Sequence, residues 1–266
     1  MGRNETWFGG PEGAALRLRE VTQVYANLRP CGYFAAGNSL LGEELVCSWD
    51  EVPCFSRELW SYKRSGIERV IRIAAHLAIP KASPKKTVIS SEKANVLAGS
   101  RLRWKVVQET MNREFPDVEI VHQLGIRPTF FNGFIPANNK SGELLSDLAG
   151  VIPGTLGVLP SACFADIPIK QWGDKPVKGF YEPVHGSAPD IAGQGTANPI
   201  GAILSAALML RYSFEMEEEA TAIEKAVNLT LDAGLRTKVM KGTASTTETG
   251  DVIRKTLLEL LNAQVF

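Results

Sequence analysis

The 266-residue chain has no excess of either charge: 29 basic side chains face 29 acidic ones, for a formal net charge of zero at pH 7. No global positive field draws in nucleic acid or an anionic membrane, and no acidic tail is present. Cysteine is scarce. Cys31, Cys47, Cys54 and Cys163 show no C-x-x-C spacing, and only His76, His122 and His185 could join them at a zinc. A zinc site and a disulfide scaffold are therefore disfavoured, and free thiols are expected. Long apolar runs are missing too. The longest, Ala197 to Leu210, is too short for a bilayer and carries Asn198 and Ser205, so it reads as a buried helix. Met1 to Trp7 lacks the apolar core of a signal peptide. The short myristoylation-like match through Gly2 and Thr6 is of a kind that chance supplies. These absences give the expectation of a cytoplasmic protein with neither membrane nor nucleic acid as partner.

What is present is ordinary for a globular chain: 44% hydrophobic and 22% charged residues. One large domain or two smaller ones are expected, burying roughly 75% of the unfolded surface. Helical and strand patterns alternate without repeats, which points to an α/β class. Ser65 and Glu68 have capping-box spacing, and Ile67, Val70, Ile71, Ala74 and Ala78 share one helical face. After Pro80 to Pro84, Thr87 to Ser90 reads as a buried strand, Gly99 to Phe115 as a helix and Val118 to Leu124 as a strand. Asn198-Pro199 starts a helix whose expected apolar face is Ile203, Ala206, Ala207 and Leu210. Glu217 to Ala233, with Gly234 as C-cap, and Glu248 to Leu261 complete the helices. Arg127 to Ser141 has no sustained period and reads either as a functional loop or as a damaged element.

Four clusters could carry chemistry. Glu182 to Pro199 joins His185, Gly186, Ser187 and Ala188 to Asp190, Gly193, Gly195 and Asn198. Its backbone N–H groups could approach a pyrophosphate while Asp190 accepts from ribose hydroxyls. The third glycine of G-x-G-x-x-G is absent, so a Rossmann site is not supported, and an ordinary loop before a helix is an even alternative. Arg19, Arg29 and Arg57 could bind a dicarboxylate if they converge; solvated arginines are the alternative. Lys93 and Asn95 follow the strand at Thr87, where α/β proteins place ligand groups, and a desolvated lysine could relay a proton. Glu143 and Asp147 are i, i+4 on a helix from Gly142 to Gly150 and could hold Mg²⁺ or Mn²⁺, or form a solvated acidic face.

The run Gly179 to Pro199, with Ala26-Asn-Leu-Arg-Pro30 and Lys93-Ala-Asn-Val-Leu97, resembles the 3-isopropylmalate dehydrogenases, most closely those of fungi, among the β-decarboxylating dehydrogenases. The resemblance implies a two-domain open α/β sheet of the isopropylmalate/isocitrate dehydrogenase type, N-terminally truncated. Residues 1–24 and 154–266 would form an incomplete cofactor-binding domain and 25–153 a substrate and dimerisation domain. It further implies NAD and Mg²⁺ or Mn²⁺ as cofactors, a 3-substituted malate as substrate and a homodimer. Lys93 would be catalytic, and Arg19, Arg29, Arg57, Ala15 and Leu16 would contact substrate. Glu12, Asn95, His185, Gly186, Ser187, Ala188, Asp190 and Asn198 would contact NAD, and Asp147 and Glu143 the metal.

Departures from that pattern are specific. The family's opening βα segments have no counterpart before Gly9. After Arg57-Glu-Leu59 the chain passes to Trp60-Ser61-Tyr62, without the stretch that carries the family's catalytic tyrosine. After His122-Gln123-Leu124, Gly125-Ile126 stands where the family has a metal aspartate. Glu143 replaces the first aspartate of the remaining pair, moving its carboxylate by roughly an ångström, which matters to the strict octahedron of Mg²⁺. Ala15-Leu16 replaces a leucine pair, enlarging the pocket so that a bulkier substrate such as 3-benzylmalate would fit. The alternative expectation is an impaired homologue, or the product of an incomplete gene model, that only binds ligand or a partner subunit.

Overall fold

The computed structural model describes residues 17–19, 21–30, 62–79, 87–95, 97–124, 135–137, 139–167 and 176–263. Two compact units are present, 41–145 and 1–40 with 146–266.

In the 41–145 unit, α1 (Arg64–Ala78) buries Ile67, Ile71, Ala74, Ala75 and Ala78, as its spacing dictates. The Ser65–Glu68 capping box does not form. Lys63 occupies the N-cap position without a side-chain bond, and Glu68 lies 3.4 Å from Arg64 and 3.6 Å from Arg72. Opposite charge one helical turn away competes for the carboxylate that a cap would use. β2 (Thr87–Glu92) pairs in parallel with β3 (Glu119–Leu124), Val88 opposite Ile120 and Glu92 opposite Leu124. Parallel neighbours require a crossover, and α2 (Ala98–Glu114) supplies it. Val88, Val106, Val107, Met111 and Val118 join the α1 residues in one core. β2 runs two residues beyond its expected end, to Glu92, because Ser91 and Glu92 are buried along with the apolar part of the strand. His122 on β3 stacks on Trp104, with ring centroids 4.1 Å apart, and bonds Gln108 at 3.0 Å, so it packs the β3–α2 contact.

In the other unit, β1 (Ala26–Leu28), β4 (Pro160–Phe164) and β5 (Gly179–Pro183) form an antiparallel sheet in the order β1-β4-β5. The described strands thus form two sheets, one parallel and one antiparallel. α3 (Asn139–Ala149) runs across the boundary between the units, and its first turn falls within the stretch that had no sequence period. α4 (Ile200–Ser213), α5 (Glu217–Asp232) and α6 (Thr246–Ala263) pack together, with Leu159, Ile200, Leu204, Val227, Leu231, Ile253 and Leu260 in the core. The α4 face is rotated from expectation: Ile200, Leu204, Ala207 and Leu208 are buried, whereas Ala206 is exposed. A helix that is apolar on nearly every side has little moment to fix its face, and packing against β4, β5 and α5 decides it. Gly234 follows α5 at φ +89°, the left-handed position that suits glycine. α6 begins two residues before its expected start, because Ser245 and Glu248 form a reciprocal capping box: the Glu248 N–H donates to Ser245 Oγ at 3.1 Å, and the Ser245 N–H to Glu248 Oε2 at 3.4 Å.

Candidate active site

β2 delivers Lys93. The strand ends at Glu92, and the turn to α2 leaves Lys93 and Asn95 exposed with Ala94 buried between them. The Leu97 N–H donates to the Lys93 carbonyl at 2.9 Å, and Arg101 Nη1 donates to the Ala94 carbonyl at 3.3 Å. Below the turn, Arg103 Nε on α2 meets Glu92 Oε1 at 3.2 Å, and Ser90 Oγ donates to the same oxygen at 2.9 Å. Burial dominates both charges. It pushes the Glu92 carboxyl above the usual carboxylate range and the Arg103 guanidinium below its usual value, against the attraction of each for the other.

β5 delivers the glycine-rich loop. The Val184 N–H donates to the Leu159 carbonyl at 3.0 Å, after which Gly186, Ser187, Ala188, Pro189 and Asp190 are all exposed. Ala188 takes φ +41°, Gly193 +76° and Gly195 +65°. Space is open around the glycines: a Cβ added at Gly186, Gly193 or Gly195 would meet no atom within 4 Å. A 3-10 turn at Pro189–Ile191 carries Asp190, whose carbonyl accepts from Gln194 Nε2 at 2.8 Å. The far end of the loop is tied to α6, where the Thr246 N–H donates to the Gly195 carbonyl at 2.8 Å and Thr246 Oγ1 to the Ala197 carbonyl at 2.6 Å. The Asn198 side chain is buried and used internally, Oδ1 accepting from the Ile200 N–H at 2.9 Å and Nδ2 lying 3.3 Å from Met240 Sδ. Asn198 therefore shapes the entry to α4. Thr246 and Met240 were not among the expected site residues; the Ser245–Glu248 capping spacing marks Thr246 as the start of α6, whereas nothing local marks Met240.

The arginines are engaged differently. Arg19 forms an ion pair with Glu182 of β5 and lies over Phe180, its Cζ 6.0 Å from the ring centre. Its guanidinium is thus aimed at a carboxylate of the chain itself. Arg29, just after β1, donates from Nη1 to Ser146 Oγ of α3 at 2.7 Å. Arg19, Glu182 and Arg29 all act electrostatically on the Cys163 thiol, which burial pushes up, so the structure gathers them around β4. Arg57, Ala15, Leu16 and Glu12 lie outside the described residues.

Asp147 on α3 is exposed; the Glu143 backbone is one turn earlier on the same helix, and its side chain lies outside the description. Among the described residues no group of three or more metal-type side chains exists. A magnesium-class ion commonly takes one or two carboxylates and completes its shell with water and substrate oxygens, and an exposed carboxylate such as Asp147 has the chemistry to be one of them. The open, left-handed backbone between Gly186 and Gly195 likewise fits a dinucleotide held by N–H groups.

Lys93 thus follows a strand of the parallel sheet in one unit, and the open glycine-rich loop follows an antiparallel strand in the other; by its likeness to known proteins the chain is a β-decarboxylating dehydrogenase. The chain belongs to the isocitrate/isopropylmalate dehydrogenase family, whose pattern residues 51–254 match, and within it is of the isopropylmalate type. It is 42% identical to 3-isopropylmalate dehydrogenase B of Aspergillus niger over 275 residues, covering 92% of this chain and 74% of that protein. It is 48% identical to an isopropyl malate dehydrogenase of Aspergillus rugulosus over 276 residues, covering 91% and 75%. Among solved structures, isocitrate dehydrogenase from Methylococcus capsulatus superposes with a TM-score of 0.74 at 28% identity, covering 94% of this chain and 78% of that one. A β-decarboxylating dehydrogenase from Thermococcus kodakarensis gives 0.73 at 31% identity, covering 95% and 75%. No described helix is long and apolar enough to cross a membrane.

Proposed function

We propose that this chain catalyses the NAD-dependent oxidative decarboxylation of a 3-substituted malate to the 2-oxo acid, as a homodimer. The observation that carries this reading is the exposed loop from Gly186 to Gly195, whose unobstructed glycines and outward Asp190 suit an adenosine diphosphate. His185, Gly186, Ser187 and Ala188 would line the adenosine. Asp190 would accept from the ribose hydroxyls and repel a 2′-phosphate, which selects NAD over NADP. Asn198 holds the junction on which that loop rests, and Asn95 would face the nicotinamide. Residues 1–24 and 154–266 serve the cofactor in this account, with Glu12 among its contacts, and 25–153 serve substrate and dimerisation.

Arg29 and Arg57 would bind the substrate carboxylates. Arg19 serves through Glu182, bracing β5 from which the loop departs. Lys93, exposed at the strand end, would move a proton to or from the substrate. Asp147 and Glu143 would hold Mg²⁺ or Mn²⁺, which when bound supplies Lewis-acid polarisation of the substrate's hydroxyl oxygen. Ala15, smaller than leucine beside Leu16, favours a bulkier 3-substituent such as the benzyl group. Turnover of 3-isopropylmalate equal to or better than 3-benzylmalate would contradict that refinement.

A second reading is favoured by one observation, the Arg57-Glu-Leu-Trp-Ser-Tyr62 sequence, which leaves no counterpart of the family's catalytic tyrosine. On that reading the chain binds NAD or a partner subunit without turnover. NADH formation by the purified protein with 3-isopropylmalate or 3-benzylmalate, NAD and Mn²⁺ separates the two. A rate above that of Lys93→Ala supports the enzyme; a rate equal to it supports the binding protein.

A further inference from the structure

The Glu92–Arg103 pair is the most deeply buried ion pair among the described residues, with side chains 1% and 7% exposed. Two charges taken out of water lose hydration that their mutual attraction offsets only with good geometry, and apolar replacements are often as stable or more so. Stability alone gives no reason to bury them. Their location does. Glu92 immediately precedes Lys93, and Arg103 lies on the helix that begins at Ala98, three residues after Asn95 at the end of the turn. Arg103 fixes the strand side of this turn, and Arg101, from the same helix, fixes its carbonyl side at Ala94. Ser90 Oγ holds the shared Glu92 oxygen from below.

We infer that Glu92 and Arg103 are positioning residues, a buried charged clamp that fixes the backbone from which Lys93 projects. The effect on turnover rests on the proposed dehydrogenase reading; the effect on the backbone does not. The clamp makes Lys93 geometry independent of the exposed surface around it, because neither charge can leave its partner without being stranded in the interior.

The test compares wild type with Arg103→Met and with the double variant Glu92→Gln/Arg103→Met, in which no uncompensated charge remains and folding is protected. Amide hydrogen exchange of residues 93–97 and competitive acetylation of Lys93, read by peptide mass spectrometry, report the turn whether or not the protein turns over. The expected result in the folded double variant is exchange in 93–97 faster by about tenfold relative to amides of 106–111 in α2, with altered Lys93 acetylation. kcat should fall by about tenfold or more while KM for the malate stays within about threefold. Arg103→Lys, which restores the charge, should recover part of both. A folded double variant with wild-type exchange and wild-type Lys93 acetylation overturns the clamp. If wild type has no activity but exchange and acetylation change as expected, the dehydrogenase reading fails and the clamp stands.

Discussion

β2 and β5 each end at a candidate ligand-binding segment, and they are anchored by opposite means. β2 stops over a charged pair with almost no exposure, and the turn beyond it is bonded at the carbonyls of both Lys93 and Ala94. β5 stops at a loop whose residues 186–190 are exposed, tied at its near end from Val184 to Leu159, within itself from Gln194 to Asp190, and at its far end by Thr246. The difference follows from what each segment would present. A single side chain that must aim needs a rigid base, because an error in backbone direction grows along four methylenes. A loop that grips a ligand by its own N–H groups must leave some of them unpaired, so it is held at its ends and by the short turn over Pro189–Ile191, with no buried charge beneath it.

The largest expected break in this comparison is Lys93→Ala, which should lower kcat by about 10³-fold with the fold intact, as checked by steady-state kinetics and circular dichroism. Next comes Arg103→Met alone. It strands Glu92 in the interior and should cost about 3–5 kcal/mol in a denaturant titration, far more than the double variant with Glu92→Gln. Thr246→Val keeps the helix N–H bond but loses the hydroxyl bond to the Ala197 carbonyl. It should weaken NAD binding by about tenfold, in direct titration as well as in KM, and leave KM for the malate unchanged; Thr246→Ser should restore it. An equal effect on both ligands would mean that Thr246 supports the unit generally rather than the loop.

The smallest effect tests charge at the surface of the 41–145 unit, as a contrast with the buried clamp. Glu114 accepts two bonds from Arg72, at 2.6 and 2.8 Å, and one from Arg113, and these hold its carboxyl down to about 2. A depressed carboxyl contributes stability above its unfolded value and loses it as pH falls through about 2. Solvent screening limits the contribution, so Glu114→Gln should cost no more than about 1 kcal/mol at pH 7 and progressively less as pH falls through about 2. Glu92 runs the other way: burial raises its carboxyl, so the contribution of this one group to stability is present at low pH and lost as pH rises through its folded value.

Much of this was legible in the sequence, for identifiable reasons. The period of Ile67, Ile71, Ala74 and Ala78 marked α1, and Gly234 marked the end of α5. The glycine and histidine motif located the β5 loop and the family together. What stayed hidden depends on partners distant in sequence. β4, Pro160–Phe164, is wholly buried, only five residues long and mixes Ser161 with Ala162, Cys163 and Phe164, so it has neither alternation nor length to betray it. The face of α4 was set by packing against neighbours, not by its own pattern. Arg19 reads as one of three cations awaiting a ligand until Glu182, far along the chain, is seen opposite it. Asn198 reads as a ligand group until its amide is found spent on Ile200 and Met240. The importance of Glu92 was invisible because nothing local says that Arg103 is buried beneath the strand.

The most direct test of the central claim is NADH formation by the purified protein with NAD, Mn²⁺ and either 3-isopropylmalate or 3-benzylmalate, run beside Lys93→Ala. Metal-dependent NADH production is expected with at least one malate, lower by about 10³-fold in the variant. NADH production no greater than that of Lys93→Ala with both malates would contradict it.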